Sequence, residues 1–295
     1  MLLVIGLAAV GAGLRFVPGS PFAPERGAQA GAPPNADGTL STEATPSPTP
    51  EPDPLPFRPV AVTTAALKTK GFLSWAILDR RSGEVFGSAN MAQNSTSMSM
   101  IKAWFAADDL RLTTDKGKTP TKSRLNQLEI MIRDSDNGVA ESLFFANGKA
   151  NIIKRLVSIC ELKNAKAPSN NRFGYTQISA QDAVRMGACI ADGRAAGTKW
   201  TPWLLDMMRK VRGTGDFGIR NALPSVVRQT VAIKNGWDFW NEDRTYRTNC
   251  LAIGDTWVVA VMQRYPTGGN AEADFAHTRK ICQDTAKLLL NPDAF

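Results

Sequence analysis

Ser97-Met98-Ser99-Met100-Ile101-Lys102-Ala103-Trp104 is the stretch on which the reading of this 295-residue chain turns. Ser99 and Lys102 form an S-x-x-K pair where a buried helix is expected to begin. Residues three apart on a helix share a face, with Cβ atoms about 5–6 Å apart. A hydroxyl and an amine held there can exchange a proton, and a dry setting lowers the lysine pKa until the amine works as a base. A serine so placed is a candidate nucleophile. The spacing is common, and its competing reading is a helix start followed by an exposed lysine, so the surrounding sequence has to decide.

Upstream, Phe72 to Asp79 and Glu84 to Gly87 flank Arg80-Arg81-Ser82-Gly83, which predicts strand, turn and strand. Downstream, Leu125 to Arg133, Asn151 to Leu162, Ala180 to Ala191 and Pro202 to Arg212 carry helical periodicity. The third of these is expected to be capped by Ser179, with Asp182 three residues on. Strands are expected at Val231 to Trp237, Tyr246 to Ile253 and Thr256 to Arg264, with Gly254-Asp255 as the turn between the last two. A helix from Ala271 to Leu290 closes the chain. This order predicts an α/β protein of the α+β type. Strands from both ends form one five-stranded antiparallel sheet, and the helical middle forms an inserted lobe. A site is expected in the cleft between sheet edge and lobe.

Composition narrows the chemistry. The chain has 35 Lys and Arg against 27 Asp and Glu, a net charge of +8. These basic residues are scattered, without a basic run interleaved with aromatics, which argues against nucleic acid as a partner. The single histidine, His277, lies in an ordinary amphipathic segment, and no G-x-S-x-G elbow occurs, so serine chemistry here calls for a base other than histidine. Cys160, Cys189, Cys250 and Cys282 are widely spaced, which argues against a zinc site. They allow three disulfide pairings, and buried free thiols stand beside these as an alternative.

Leu2 to Leu14 is an uninterrupted apolar run, too short for a usual membrane span, so residues 1–17 read as a signal peptide or membrane anchor. Residues 18–59 are rich in Pro, Ala, Gly, Ser and Thr and read as a disordered linker. The folded domain is expected over 60–295. Export follows from this layout, with membrane contact only through the N-terminal segment and a monomeric domain beyond it.

Two further motifs follow the S-x-x-K pair in order. Ser135-Asp136-Asn137-Gly138 comes after the 125–133 helix, and Lys234-Asn235-Gly236-Trp237 lies on the first late strand. Taken singly, the first also reads as a helix cap and turn with Asn or Gly in the left-handed position, and Lys234 as a snorkelling strand residue. Taken together with Ser99 and Lys102, they make the chain resemble the penicillin-recognising serine hydrolases, most closely class A β-lactamases and their actinobacterial relatives. The resemblance implies that Ser99 is acylated and that Lys102 activates it. It implies that Ser135 passes a proton to the leaving nitrogen and that Asn137 holds the substrate amide. Lys234 would add positive charge near Ser135 and the substrate carboxylate. The N–H groups of Ser99 and Trp237 would form an oxyanion hole. No cofactor and no metal are implied. The substrates implied are small β-lactams or peptidoglycan stem peptides, with D-alanyl peptidase and esterase chemistry close by.

Two positions depart from the family pattern. K-N-G replaces K-T-G, so the Asn235 amide stands where a hydroxyl contacts the substrate carboxylate. The family's E-x-x-L-N loop is missing, and Asn164 to Ala180 holds no acidic residue, Glu161 falling just before it. Acylation is therefore expected without that deacylation base. With two lysines and few carboxylates, the cleft is expected to favour an anionic substrate. The reading from another class is a non-catalytic envelope module that keeps the fold and binds peptidoglycan or a partner protein.

Overall fold

The computed structural model describes residues 53–291 and 294. The chain divides into two units, Met1–Glu51 and Pro52–Phe295, and the described residues belong to the second. The N-terminal apolar run and most of the Pro-rich stretch lie outside them. Among the described residues no helix is long and apolar enough to cross a membrane.

In chain order the strands are β1 (Phe72–Asp79), β2 (Val85–Gly87), β3 (Asn94–Thr96), β4 (Gln177–Ser179), β5 (Ala232–Ile233), β6 (Gly236–Trp240), β7 (Thr245–Ile253) and β8 (Trp257–Pro266). The helices are α1 (Lys102–Asp115), α2 (Lys122–Arg133), α3 (Asn137–Ala146), α4 (Ala150–Ile159), α5 (Ala180–Ala191), α6 (Thr201–Arg209), α7 (Ser225–Arg228) and α8 (Ala271–Leu289). The main sheet runs β2-β1-β8-β7-β5, with β6 also on β7, and every pairing is antiparallel. Ala232 pairs with Ile253 and Gly236 with Asn249, one unbroken register, so β5 and β6 occupy a single edge position interrupted at Lys234-Asn235. The expected five-stranded sheet is therefore present, with its edge broken at the K-N-G motif.

Alternation decides what covers each face. Leu251 and Ile253 of β7, with Val258 of β8, meet Gly187 of α5 so closely that a Cβ there would lie 2.6 Å from Val258. The intervening Thr248 and Cys250 face α8, where Thr248 Oγ1 bonds Thr278 Oγ1 at 2.7 Å and Cys250 is bridged to Cys282. Helix α1 lies in the helical lobe with Lys102 through Leu110 all buried, as expected of a central helix enclosed on every side. Its neighbours include α2, α3, α4 and α6.

Disulfides join Cys160 to Cys189 and Cys250 to Cys282, resolving the open alternatives. The first ties α4 to α5 within the lobe side, and the second ties the sheet to α8. Packing also begins earlier than the expected boundary at residue 60. Phe57 is buried against Trp257, ring centroids 4.7 Å apart, and Arg58 N–H donates to the Leu289 carbonyl at 2.8 Å. A Pro-rich composition hid one large aromatic that had a place in the core.

Candidate active site

Ser99 does not open a regular α-helix. Met98–Ile101 is a 3₁₀ turn that leads into α1, and Lys102 is the first α-helical residue. Met98 holds φ +50°, a conformation that costs free energy for a non-glycine residue and that persists where the surroundings enforce it. The enforcing neighbour is the sheet edge. A Cβ on Gly236 would lie 2.6 Å from Ser99 N, 2.7 Å from Met100 N and 2.8 Å from Met98 Cβ. Glycine at the end of K-N-G therefore lets the strand press against the turn that carries Ser99.

The middle motif divides its residues between structure and site. Asp134 ends α2, and Asp136 caps α3, its Oδ1 accepting the Val139 N–H at 2.8 Å. The left-handed position between them is taken by Ser135, φ +60°, rather than by Asn or Gly. The cap reading thus holds for the two aspartates, and it is what projects Ser135 and Asn137 into the cleft.

Lys102 Nζ is fully buried and donates to the Ser135 carbonyl at 2.5 Å and to Asn137 Oδ1 at 2.6 Å. Its third position, proton or lone pair, faces Ser135 Oγ at 3.3 Å. Burial lowers its pKa to about 7, against a smaller upward pull from Asp136. Lys234, 1% exposed, donates to Ser135 Oγ at 2.9 Å. Burial, and then the charge of Lys102, hold Lys234 well below its ordinary value. One hydroxyl therefore bridges two desolvated amines. The expected direct bond between Ser99 and Lys102 is absent: among the described residues Ser99 Oγ has no hydrogen-bond partner, and Lys102 is drawn instead to the carbonyl acceptors at the α2–α3 junction.

Strand alternation corrects the role expected of Asn235. Lys234, Gly236, Asp238 and Trp240 face the helical lobe, whereas Asn235 and Trp237 face α8. Asn235 is buried, and its Nδ2 donates to the carbonyls of Gly215 at 3.0 Å and Phe217 at 2.8 Å. It anchors the 215–217 loop beneath the edge strand and does not reach a substrate carboxylate. The Trp237 ring stacks on Phe275 of α8 at 5.3 Å. Its backbone is another matter. Lys234 N–H bonds Leu251 C=O, so even-numbered residues of this edge pair with β7 and the Trp237 N–H points off the free edge. The Ser99 N–H lies in the first turn of the 3₁₀ segment, where amides lack helical partners. Two backbone donors therefore flank the Ser99 side of the cleft.

A cavity of about 240 Å³ includes Ser99, Asn137, Glu141, Arg172, Trp237 and Asp238 in its lining. A second, of about 420 Å³, shares Ser99, Asn137, Trp237 and Asp238 and continues past Arg212 and Thr214. The wall of the first cavity includes Tyr175, whose ring lies tilted against Trp240 with centroids 3.8 Å apart and whose hydroxyl donates to Glu242 at 2.8 Å. The expectation of few carboxylates is overturned, since Glu141 and Asp238 both stand in the wall. Sequence could have found them: Glu141 is four residues past Asn137 on one helix face, and Asp238 four past Lys234 on one strand face. Glu161 lies elsewhere, exposed beside Arg194. His277 bonds Thr69 Oγ1 at 3.2 Å and takes no part in the cleft.

No family model matches the chain. It is 28% identical over 193 residues to LppW, named among the lipoproteins, of Mycobacterium bovis and Mycobacterium tuberculosis. The match covers 62% of this chain and 59% of those relatives, so less than two thirds of their length is spanned. Among solved structures, the TLA-1 extended-spectrum β-lactamase aligns with TM-score 0.63 and 15% identity, covering 77% of this chain and 98% of that one. A β-lactamase from Chitinophaga pinensis aligns with TM-score 0.59 and 18% identity over 74% and 95%. The class A β-lactamase of the last common ancestor of Gram-negative bacteria gives 0.57 and 20% over 76% and 95%. The fold is that of the class A β-lactamases. These identities are too low to carry an activity across, and the reaction has to be argued from the side chains.

Proposed function

We propose that this chain is an exported serine hydrolase that forms an acyl-enzyme at Ser99. The observation that carries the reading is the Ser135 hydroxyl held between two buried amines, Lys234 at 2.9 Å and Lys102 at 3.3 Å, in a cleft lined by Ser99. A lysine with a pKa of about 7 is substantially free amine at neutral pH and can take the Ser99 proton. Ser99 Oγ then bonds to a substrate carbonyl carbon, and the N–H groups of Ser99 and Trp237 receive the oxyanion. The proton passes through Ser135 to the leaving nitrogen, Lys234 keeps the Ser135 oxygen in a positive field, and the C–N bond breaks. Asn137, at the cleft wall, is suited to hold the substrate amide. The substrate class is a β-lactam or a related D-Ala-type amide such as a peptidoglycan stem peptide, and D-alanyl peptidase or esterase activity uses the same groups. No cofactor enters the scheme. Two disulfides suit an oxidising compartment, and the lipoprotein name of the relatives supports an envelope location for an N-terminally tethered or secreted monomer.

The test is covalent labelling. A fluorescent penicillin is expected to label the wild-type chain and to leave a folded Ser99→Ala chain unlabelled. Equal labelling of the two, or none of either, rejects Ser99 as the nucleophile for β-lactams. One observation favours a second reading, a non-catalytic envelope module binding peptidoglycan or a partner protein: Lys102 is bonded to Ser135 and Asn137, with no bond to Ser99. Absence of both labelling and turnover of a chromogenic cephalosporin would select that reading.

A further inference from the structure

We infer that Asp238 is the general base that activates the water for release of the acyl group from Ser99, an inference that rests on the acyl-enzyme reading above. The 164–180 segment, where the resemblance would put such a base, has no acidic residue, and Glu161 points away toward Arg194. Asp238 approaches from the opposite side, on the sheet edge. Its side chain shares a face with Gly236, the residue whose missing Cβ would strike Ser99 N at 2.6 Å. Residue 238 stands two positions further along, about 7 Å. That spacing keeps the Asp238 side chain on the cleft wall that Ser99 also lines.

Three further observations single out this carboxylate. Asp238 lines both of these cavities with Ser99, whereas Glu141 and Asp134 line one each and Asp134 is held in an ion pair with Arg212. Its Oδ1 accepts the Phe239 N–H at 2.8 Å, which fixes the carboxyl group on the strand while leaving the second oxygen without a hydrogen bond among the described residues. The tilted Trp240–Tyr175 pair shares the wall of the first cavity with it. Asp238 is an exposed residue, and partial burial of its carboxyl is enough to raise its pKa above the ordinary carboxylate value, against smaller downward pulls from the Phe239 N–H and Arg172. A more basic carboxylate is a better acceptor for a proton from water.

In the step itself, the water oxygen bonds to the acyl carbon and one water proton moves to the Asp238 carboxylate. As the carbon–Oγ bond breaks, that proton returns to Ser99 Oγ. The products are the free acid and the resting serine, with Asp238 again ionised.

Intact-mass measurement over time after a penicillin pulse separates the two half-reactions. For Asp238→Asn, which preserves shape and the acceptor for Phe239 N–H, adduct formation is expected within about threefold of wild type. Loss of the adduct is expected to slow by about 10²-fold or more, the usual contribution of a positioned base. Asp238→Glu keeps a carboxylate and is expected to retain release within about tenfold, which a merely structural role would not require. Release in Asp238→Asn at the wild-type rate overturns the inference, as does slowing in Glu141→Gln in its place. A wild-type adduct that persists unhydrolysed overturns it too, while leaving acylation intact. No adduct on the wild type removes the acyl-enzyme reading and this inference together.

Discussion

Lys102 shows how burial changes the acidity of an ordinary side chain. Exposed lysines hold their proton to pH 10.5, and removal of water brings this one to about 7. The sign of its effect on rate follows from the need for free amine. Acylation is expected to rise about tenfold per pH unit well below 7 and to level off above it, as read by the rate of penicillin adduct formation. Lys102→Arg cannot release its proton in this range, and its acylation is expected to fall by about 10²–10⁴-fold. Stability moves in the same direction. Between about pH 7 and 10.5 the unfolded chain binds a proton at Lys102 that the folded chain does not, so the folded state gains stability as pH rises through that window. Below it both states are protonated and this gain is absent. Lys234, depressed by burial and by Lys102, acts with the same sign. The urea midpoint is expected to increase from pH 7 to pH 9, and less so in Lys102→Met.

At the scale of elements, the site is a contact between an interrupted edge strand and a strained turn. Gly236 is the contact point, and Gly236→Ala tests it with a single methyl group. The added Cβ would meet backbone atoms of Ser99 and Met100 under 3 Å, so the turn or the strand must shift. Misplacement of about 1 Å costs about 10²-fold in rate, and a loss of that order in acylation is expected with the fold retained. Thermal denaturation beside the labelling rate checks both parts. The same strand explains what the motif alone could not say. K-N-G names three consecutive residues, but a strand sends them to alternate faces. Lys234 and Gly236 enter the cleft, and Asn235 turns under it to hold the 215–217 loop. Asp136 illustrates the helical counterpart, spending its carboxylate on a cap so that its neighbours on either side face the cleft.

Across the whole molecule, chain segments far apart in sequence are tied where the site needs them fixed. Cys160–Cys189 and Cys250–Cys282 span separations of 29 and 32 residues. Closing loops of that length removes unfolded-state entropy worth about 3–4 kcal/mol each. Reduction of both in denaturant is expected to lower the unfolding free energy by several kcal/mol, measurable from urea curves with and without reductant. The N-terminal end of the domain contributes as well, with Phe57 seated on Trp257. That contact was not legible beforehand, because composition averages over a segment and one aromatic can override it. Composition does not reveal β3, β4 and α3 either: the two strands are three residues each and pair with one another outside the main sheet, and α3 begins in the turn that Ser135 makes.

Local chemistry determined a good deal by itself. Apolar runs set the central strands, Ser179 and Asp182 set the start of α5, and Gly254-Asp255 set the last hairpin, because each is decided by residues within a few positions of one another. The order of S-x-x-K, S-D-N and K-N-G likewise pointed to one fold, and the lack of a usable histidine pointed to lysine. Only the tertiary structure decided which groups touch. It moved Lys102 from Ser99 to Ser135 and Asn137, turned Asn235 away, paired the cysteines, and put Glu141 and Asp238 into the cleft wall. Hydrogen bonds, burial and pKa depend on neighbours brought from 18 to 99 residues away in the contacts around the site, and no pattern within a single segment specifies those neighbours.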